Sequence, residues 1–303
     1  MNEKVVVSLP EKDNEYQVLQ ASDARTTGSR VKLDVEVLFA EMSAVLQIQQ
    51  LFKFVHASEK PTAILVEPVA ADGLDRVAQK ATASGIAWGI LNSTVGYVAE
   101  LRRQYPALAI FAVGSDQVEI GRIQGRQMCT LLPAGGTVLY IQGPLATSAA
   151  RERLQGMQEA IAGSKIQPVV LDAQWSEDSA EAAVRQWLRL KTTENVRVDL
   201  VAGQDDSMAR GARRAVEAAA DVQKRWGDVP FLGIDGVPDV GQELVRGGQL
   251  TATVVMPSNT GPALEAVASW LKTKVVPNAS VRVPVLSFPE EAELARKAAS
   301  RRR

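Results

Sequence analysis

Ala109-Ile-Phe-Ala-Val113 leads, through Gly114-Ser-Asp116, into Gln117-Val-Glu-Ile-Gly-Arg-Ile-Gln-Gly-Arg-Gln-Met-Cys-Thr-Leu-Leu132, and past Gly135-Gly136 the chain continues as Thr137-Val-Leu-Tyr-Ile-Gln142. The two flanking runs are short, apolar and bounded by turn residues, as buried strands are. Between them Val118, Gly121, Gly125, Met128 and Leu132 recur at three- and four-residue spacing, the period of one helix face. The paired glycines mark the helix-to-strand turn. Strand, helix and strand in this order make a βαβ unit, in which a crossover helix joins two parallel strands.

The same alternation extends over nearly the whole chain. Strands are expected at 5–9, 32–38, 62–66, 86–91 and 109–113, and a second set at 137–142, 167–172, 199–203, 231–234 and 251–255. Asp178 followed by Glu181 reads as a capping box opening a helix over 180–190, and Gly247-Gly248 marks another helix-to-strand turn. Two sets of about five strands argue for an α/β protein of two doubly wound parallel-sheet lobes instead of one oversized sheet. The halves share a pattern but no defensible sequence repeat.

Composition narrows the function. The 303 residues carry 34 basic and 35 acidic side chains, a net charge of −1, so no bulk field draws in nucleic acid or an anionic membrane. The basic end, Ala298-Ala-Ser-Arg-Arg-Arg303, reads as a solvated terminus. Cys129 is the one cysteine, set among apolar neighbours as a small buried hydrophobe, and His56 is the one histidine, read as structural or surface. A disulfide, a cysteine metal cluster and a Ser-His triad lack their parts, and no cofactor is implied. The chain shows no GxGxxG, GxxxxGK, GxSxG or HExxH motif, which argues against an enzyme. No run approaches a membrane span, and Met1-Asn-Glu-Lys4 leads straight into the first strand with no leader-like cleavage site. A cytoplasmic chain and one whose leader has been replaced both fit that start.

In open parallel sheets ligands bind beyond the carboxyl ends of the strands. The polar residues there are Asn14, Tyr16, Asn92 and Asp116 in the first half, and Arg151, Trp175, Asp205, Asp206 and Asp235 in the second. Carboxylates accept from vicinal hydroxyls, a guanidinium donates to them, and an aromatic ring packs on the C–H face of a sugar. Asn and Asp also favour strand-end turns and helix caps for backbone reasons, so each has a plain structural alternative.

Gly143-Pro-Leu-Ala-Thr-Ser-Ala-Ala-Arg-Glu-Arg-Leu-Gln-Gly-Met157 resembles the strand end and helix of the ribose-binding-type periplasmic sugar-binding proteins, whose fold is shared with LacI-like ligand domains. Three further matches follow in order: Gly203-Gln-Asp-Asp-Ser-Met-Ala-Arg-Gly-Ala212, Gly233-Ile-Asp-Gly-Val-Pro-Asp239 and Gln249-Leu-Thr-Ala-Thr-Val-Val-Met-Pro257. The resemblance implies the type I periplasmic binding protein fold. Its three-crossing hinge is expected near 114–116, 255–257 and 278–281, giving an N-terminal lobe of 1–115 plus 257–280 and a C-terminal lobe of 116–256 plus 281–303. It implies that Arg151 reaches the ligand while Arg153 lies on the helix surface, that Asp205 and Asp235 touch hydroxyls, and that Trp175 stacks on the sugar, with Tyr16 near the corresponding place in the first lobe.

The chain also departs from the ribose pattern. Asn92-Ser93 stands where an Asp-Arg pair is usual, and Val255-Met256 where a glutamine is. The resemblance implies a monosaccharide or polyol ligand captured between closing lobes by a periplasmic monomer, and the two departures point toward a larger, less polar or differently substituted sugar. A membrane transporter permease would be its partner. The alternative is a ligand-sensing domain; DNA binding is not expected, because only Met1–Lys4 precede the first strand and leave no room for a helix-turn-helix.

Overall fold

The computed structural model describes residues 3–70 and 72–300; the tail arginines 301–303 lie outside the described residues. The elements in chain order are β1 (Glu3–Leu9), α1 (Glu15–Val31), β2 (Leu33–Phe39), α2 (Ala44–His56), β3 (Ala63–Val66), α3 (Asp75–Ala83), β4 (Ala87–Leu91), α4 (Val98–Gln104) and β5 (Ile110–Ser115). Next come α5 (Gln117–Leu131), β6 (Gly136–Gln142), α6 (Ser148–Ile161), β7 (Ile166–Asp172), α7 (Glu177–Leu188), β8 (Leu200–Gly203) and α8 (Asp206–Glu217). The chain ends with α9 (Ala220–Trp226), β9 (Phe231–Leu232), α10 (Gly241–Arg246), β10 (Thr253–Val255), α11 (Thr260–Thr273), β11 (Ser280–Val283), β12 (Leu286–Phe288) and α12 (Glu291–Ser300).

The chain forms two compact units. The first reaches to Ser115 and adds Ala146–Ser148 and Ser258–Val283; the second takes Asp116–Leu145, Ala149–Pro257 and the chain from Pro284 onward. In the first unit six parallel strands lie in the order β11-β5-β4-β3-β1-β2. Alternate residues of β1 serve opposite faces, as the two-residue period of a strand requires. Val5, Val7 and Leu9 pack in a core with α1 and α11, whereas Val6 joins Ile64, Trp88 and Ile90 in the core under α2, α3 and α4. Both faces are covered, so the strands read as continuous apolar runs.

In the second unit β7-β6-β8-β9 are parallel. Leu139 and Ile141 face the core of α7 and α8, and Val138 and Tyr140 face Met128 and Met157 of α5 and α6. Single parallel bridges, Leu232 to Ala252 and Asp235 to Val255, carry the sheet toward β10, which pairs antiparallel with β12.

Three details differ from expectation. The segment 280–283 forms β11 on β5, which keeps the first unit through Val283 instead of ending it at 280. Its alternation of exposed and covered residues gives a weak apolar signal. The helix expected from 180 begins at Glu177: Ser176 is extended and its hydroxyl accepts from Ser179 N at 3.3 Å, so a serine two residues earlier is the cap. Cys129 is half-buried where a fully buried side chain is expected, its thiol pushed up by burial; His56, exposed at the end of α2 and stacked on Phe52 at 5.5 Å, agrees with a surface reading.

Candidate functional site

Strand order reverses between β1 and β3 in the first unit and between β6 and β8 in the second. At such a switch point the connections leave in opposite directions and open a crevice at the carboxyl ends. Each unit buries its polar side chains there.

In the first unit Asn14 caps α1, its Oδ1 accepting from Tyr16 N at 2.9 Å and Gln17 N at 3.3 Å. Immediately after β3 stands Glu67, buried, its carboxylate accepting from Gln17 Nε2 at 3.2 Å, Gln20 Nε2 at 3.2 Å and Asn92 Nδ2 at 3.0 Å. Asn92 follows β4 in the left-handed region at φ 51°, a conformation asparagine tolerates. The Tyr16 hydroxyl accepts from Asn259 Nδ2 at 2.9 Å. Gln20 Oε1 in turn takes the Ser258 hydroxyl at 2.8 Å and Asn259 N at 2.7 Å, which fixes the start of α11 against α1. Asn14, Tyr16 and Asn92 therefore join one network, and sequence reasoning missed Glu67, Gln17, Gln20 and Asn259. Glu67 was within reach, since it is the polar residue directly after a strand.

The second unit centres on Arg153. It is buried on α6, and its Nε donates to Gln117 Oε1 at 2.8 Å while a terminal nitrogen donates to the Gln204 carbonyl. That nitrogen lies 3.9 Å from Asp235 Oδ1, and the other terminal nitrogen is 3.0 Å from Met256 Sδ. The guanidinium carbon sits 5.5 Å from the centroid of the Trp175 ring, within cation–π range. Assigning Arg153 to the helix surface is thus corrected. Arg151 is the exposed arginine, donating to the Leu145 carbonyl.

Backbone geometry explains the neighbours. Gln204 holds the loop after β6: its Oε1 accepts from Gly143 N at 2.9 Å, and its Nε2 donates to the Tyr140 hydroxyl at 3.1 Å and the Ala150 carbonyl at 3.0 Å. Complete burial raises the Tyr140 phenol above its ordinary range, so it remains a neutral hydroxyl. Trp175 lies over Gly143, where a side chain would place its Cβ 2.3 Å from the ring. Asp205 is buried and caps α8 through Met208 N. Asp235 is buried at φ 105° between β10 contacts, its N–H donating to Val254 O and its carbonyl accepting from Met256 N. Asp116 caps α5 through Glu119 N at 3.0 Å.

Asp206, included among the strand-end candidates, has a structural task. Its carboxylate accepts from Gly236 N at 2.8 Å and the Thr253 hydroxyl at 2.6 Å, and it fills the space beside Gly233 and Gly241. It therefore ties β10 and the turn after β9 to α8.

Among the described residues no group of three or more His, Cys, Asp or Glu is placed to hold a metal ion, and no helix is long and apolar enough to cross a membrane. The two clusters offer carboxylate acceptors, amides, a planar cation and an indole face.

A family model described as periplasmic binding protein domain matches residues 5–268. The ribose import binding protein of Salmonella typhimurium is 35% identical over 150 residues, 49% of this chain and 48% of that protein. A xylitol-binding protein of Mycolicibacterium smegmatis is 31% identical over 193 residues, 63% of this chain and 50% of that protein. The aligned stretch thus spans about half the length of these curated relatives. Among solved structures a galactofuranose binding protein superposes with TM-score 0.83 at 19% identity, covering 98% of this chain and 99% of that one. The Caulobacter myo-inositol binding protein gives 0.82 at 22% identity, covering 97% and 95%. The fold is that of these two-lobed binders, and with the match over 5–268 the chain belongs to the periplasmic binding protein family.

Proposed function

We propose that this chain is a solute-binding protein that captures a monosaccharide or polyol between its two closing units and delivers it to an ABC-type importer. The observation that carries the reading is a buried polar cluster at the sheet switch point of each unit, one built on Glu67 and Asn92, the other on Arg153, Asp205 and Asp235. Groups so buried are costly unless hydrogen-bonded, and a hydroxyl-rich guest supplies both donors and acceptors.

Arg153, Asp235, Asp205 and Trp175 contact the ligand from the second unit, and Asn92, Tyr16 and Asn14 from the first, with Asp116 at the crossing. The guanidinium of Arg153 stands beside the Asp235 carboxylate and the Trp175 indole, whereas Arg151 faces solvent and donates to the Leu145 carbonyl. The relatives named for ribose import and xylitol binding favour transport over sensing. The protein works as a periplasmic monomer, since closure favoured by contacts made only in the closed state needs freely moving lobes.

A thermal-shift screen against pentoses, hexoses, sugar acids, xylitol and myo-inositol tests the reading. A true ligand at a hundredfold excess over its dissociation constant stabilises the fold by about 2.7 kcal/mol, a clear rise in Tm. No shift with any of these compounds contradicts it.

A further inference from the structure

Gln204 is fully buried immediately after β8, and its side chain is wholly committed within the second unit. Its oxygen accepts from Gly143 N at 2.9 Å, and its two amide hydrogens go to the Ala150 carbonyl at 3.0 Å and the Tyr140 hydroxyl at 3.1 Å. The amide has one workable orientation: turned over, it would set donor against the Gly143 N–H and acceptor against the Ala150 carbonyl. Its main chain is engaged as well, the N–H donating to Ile141 O at 2.9 Å and the carbonyl accepting from Arg153. One residue thus ties β8 to β6, to the loop after β6 and to α6. Those ties hold two recognition groups. The outer carbons of the Trp175 indole lie against Gly143, where a Cβ would come within 2.3 to 2.6 Å of them, so any shift of Gly143 moves the ring. Ala150 precedes Arg153 by three residues on α6, and the guanidinium on the Gln204 carbonyl sits 5.5 Å from the centroid of that ring.

We infer that Gln204 is a positioning residue for solute recognition: without touching the guest, it sets the Trp175 ring and the Arg153 guanidinium relative to each other. The inference rests on the solute-binding reading above, in which those two groups contact the guest. Recognition groups work only when neighbours hold them to within about 0.5 Å, and a buried amide whose three bonds end on the supports of both groups does this. Gln204 therefore acts on affinity through Gly143 and Trp175 on one side and through α6 and Arg153 on the other.

Isothermal titration of the full chain with ribose, xylitol, galactose and myo-inositol, followed with whichever binds tightest, tests this in a cycle of wild type, Gln204→Met, Trp175→Phe and the double variant. Methionine matches glutamine in length and removes the side chain's hydrogen bonds. Phenylalanine keeps an aromatic face but drops the outer carbons that meet Gly143. Gln204→Met should weaken binding about tenfold or more beside Trp175, and about threefold or less beside phenylalanine, because the contact through which it acts is then gone. A residue serving only the fold would cost the same affinity in both backgrounds, and that result overturns the inference, as does unchanged affinity in Gln204→Met. Gln204→Glu, which keeps an acceptor for Gly143 N, takes its place in the cycle should the methionine variant fold poorly. Failure of both to fold assigns Gln204 to the core and overturns the inference too. Each of these outcomes leaves the solute-binding reading standing so long as the wild type binds; binding of no compound here or in the broader screen overturns both.

Discussion

Arg151 and Arg153 stand two positions apart on α6, which turns their side chains about 200° from each other around the helix. One faces solvent and the other is buried against Asp235 and Trp175. Truncating one member of a buried pair leaves the other charge uncompensated, so Arg153→Ala should lower unfolding free energy by about 3–5 kcal/mol. Arg151→Ala, at an exposed site, should stay within about 0.5 kcal/mol of wild type. Urea denaturation of both variants checks the pair, and equal losses would contradict the division of labour. Asp206→Ala should also destabilise, by about 1–3 kcal/mol for each of the two donors it strands, Gly236 N and the Thr253 hydroxyl. Sequence reasoning found the strand-end acids but could not tell Asp206 the tie from Asp205 the cap, since both follow β8 and are of one type. The arginines exchanged places for a similar reason: motif order says that one is buried, while only the packed helix says which.

At the scale of elements, close approach of helices places the site. A Cβ on Gly121 would lie 2.1 Å from the Arg153 carbonyl oxygen, and one on Gly156 would lie 1.9 Å from that of Val118, so α5 and α6 touch backbone to backbone. Gly156→Ala must push these helices apart, at a cost of about 1–3 kcal/mol, and should weaken ligand binding by shifting Arg153. Calorimetric melting and titration of this variant test both effects. The helical spacing of Gly121 and Gly125 was legible; the partner helix that makes small residues necessary was not. A second pair, α7 and α8, is tied by Glu177, which takes hydrogen bonds from Arg210 and Arg214. Burial pushes the Glu177 carboxyl up, but the two arginines more than offset it, so its folded-state pKa lies below the ordinary carboxylate value. A lowered pKa contributes stability above the unfolded value, and that contribution is lost as pH falls through the folded one. Stability measured from pH 6 down to pH 3 should therefore fall less steeply in Glu177→Gln than in wild type; identical slopes would contradict the assignment.

Across the whole molecule, nearly every strand of the two sheets was legible, because both faces of each are covered and the strands are continuous apolar runs. The short, half-wet edge strands β11 and β12 escaped, and with them the point at which the first unit ends. Half of the candidate site was legible by one physical rule, that polar residues follow strands at a switch point. Apart from Glu67 and Asn259, the remainder lies on helices, as with Gln17, Gln20, Gln117 and Arg153, where a polar residue in a sequence looks like solvent-facing surface until its helix is packed. If the two separately buried clusters serve one small polyhydroxylated guest, each must contribute to its affinity. Isothermal titration of the best ligand against wild type, Arg153→Lys and Asn92→Ala puts this to the test. The expected result is one site per chain and a loss of affinity of about tenfold or more in each variant, one from each unit. Unchanged affinity in both variants would contradict it.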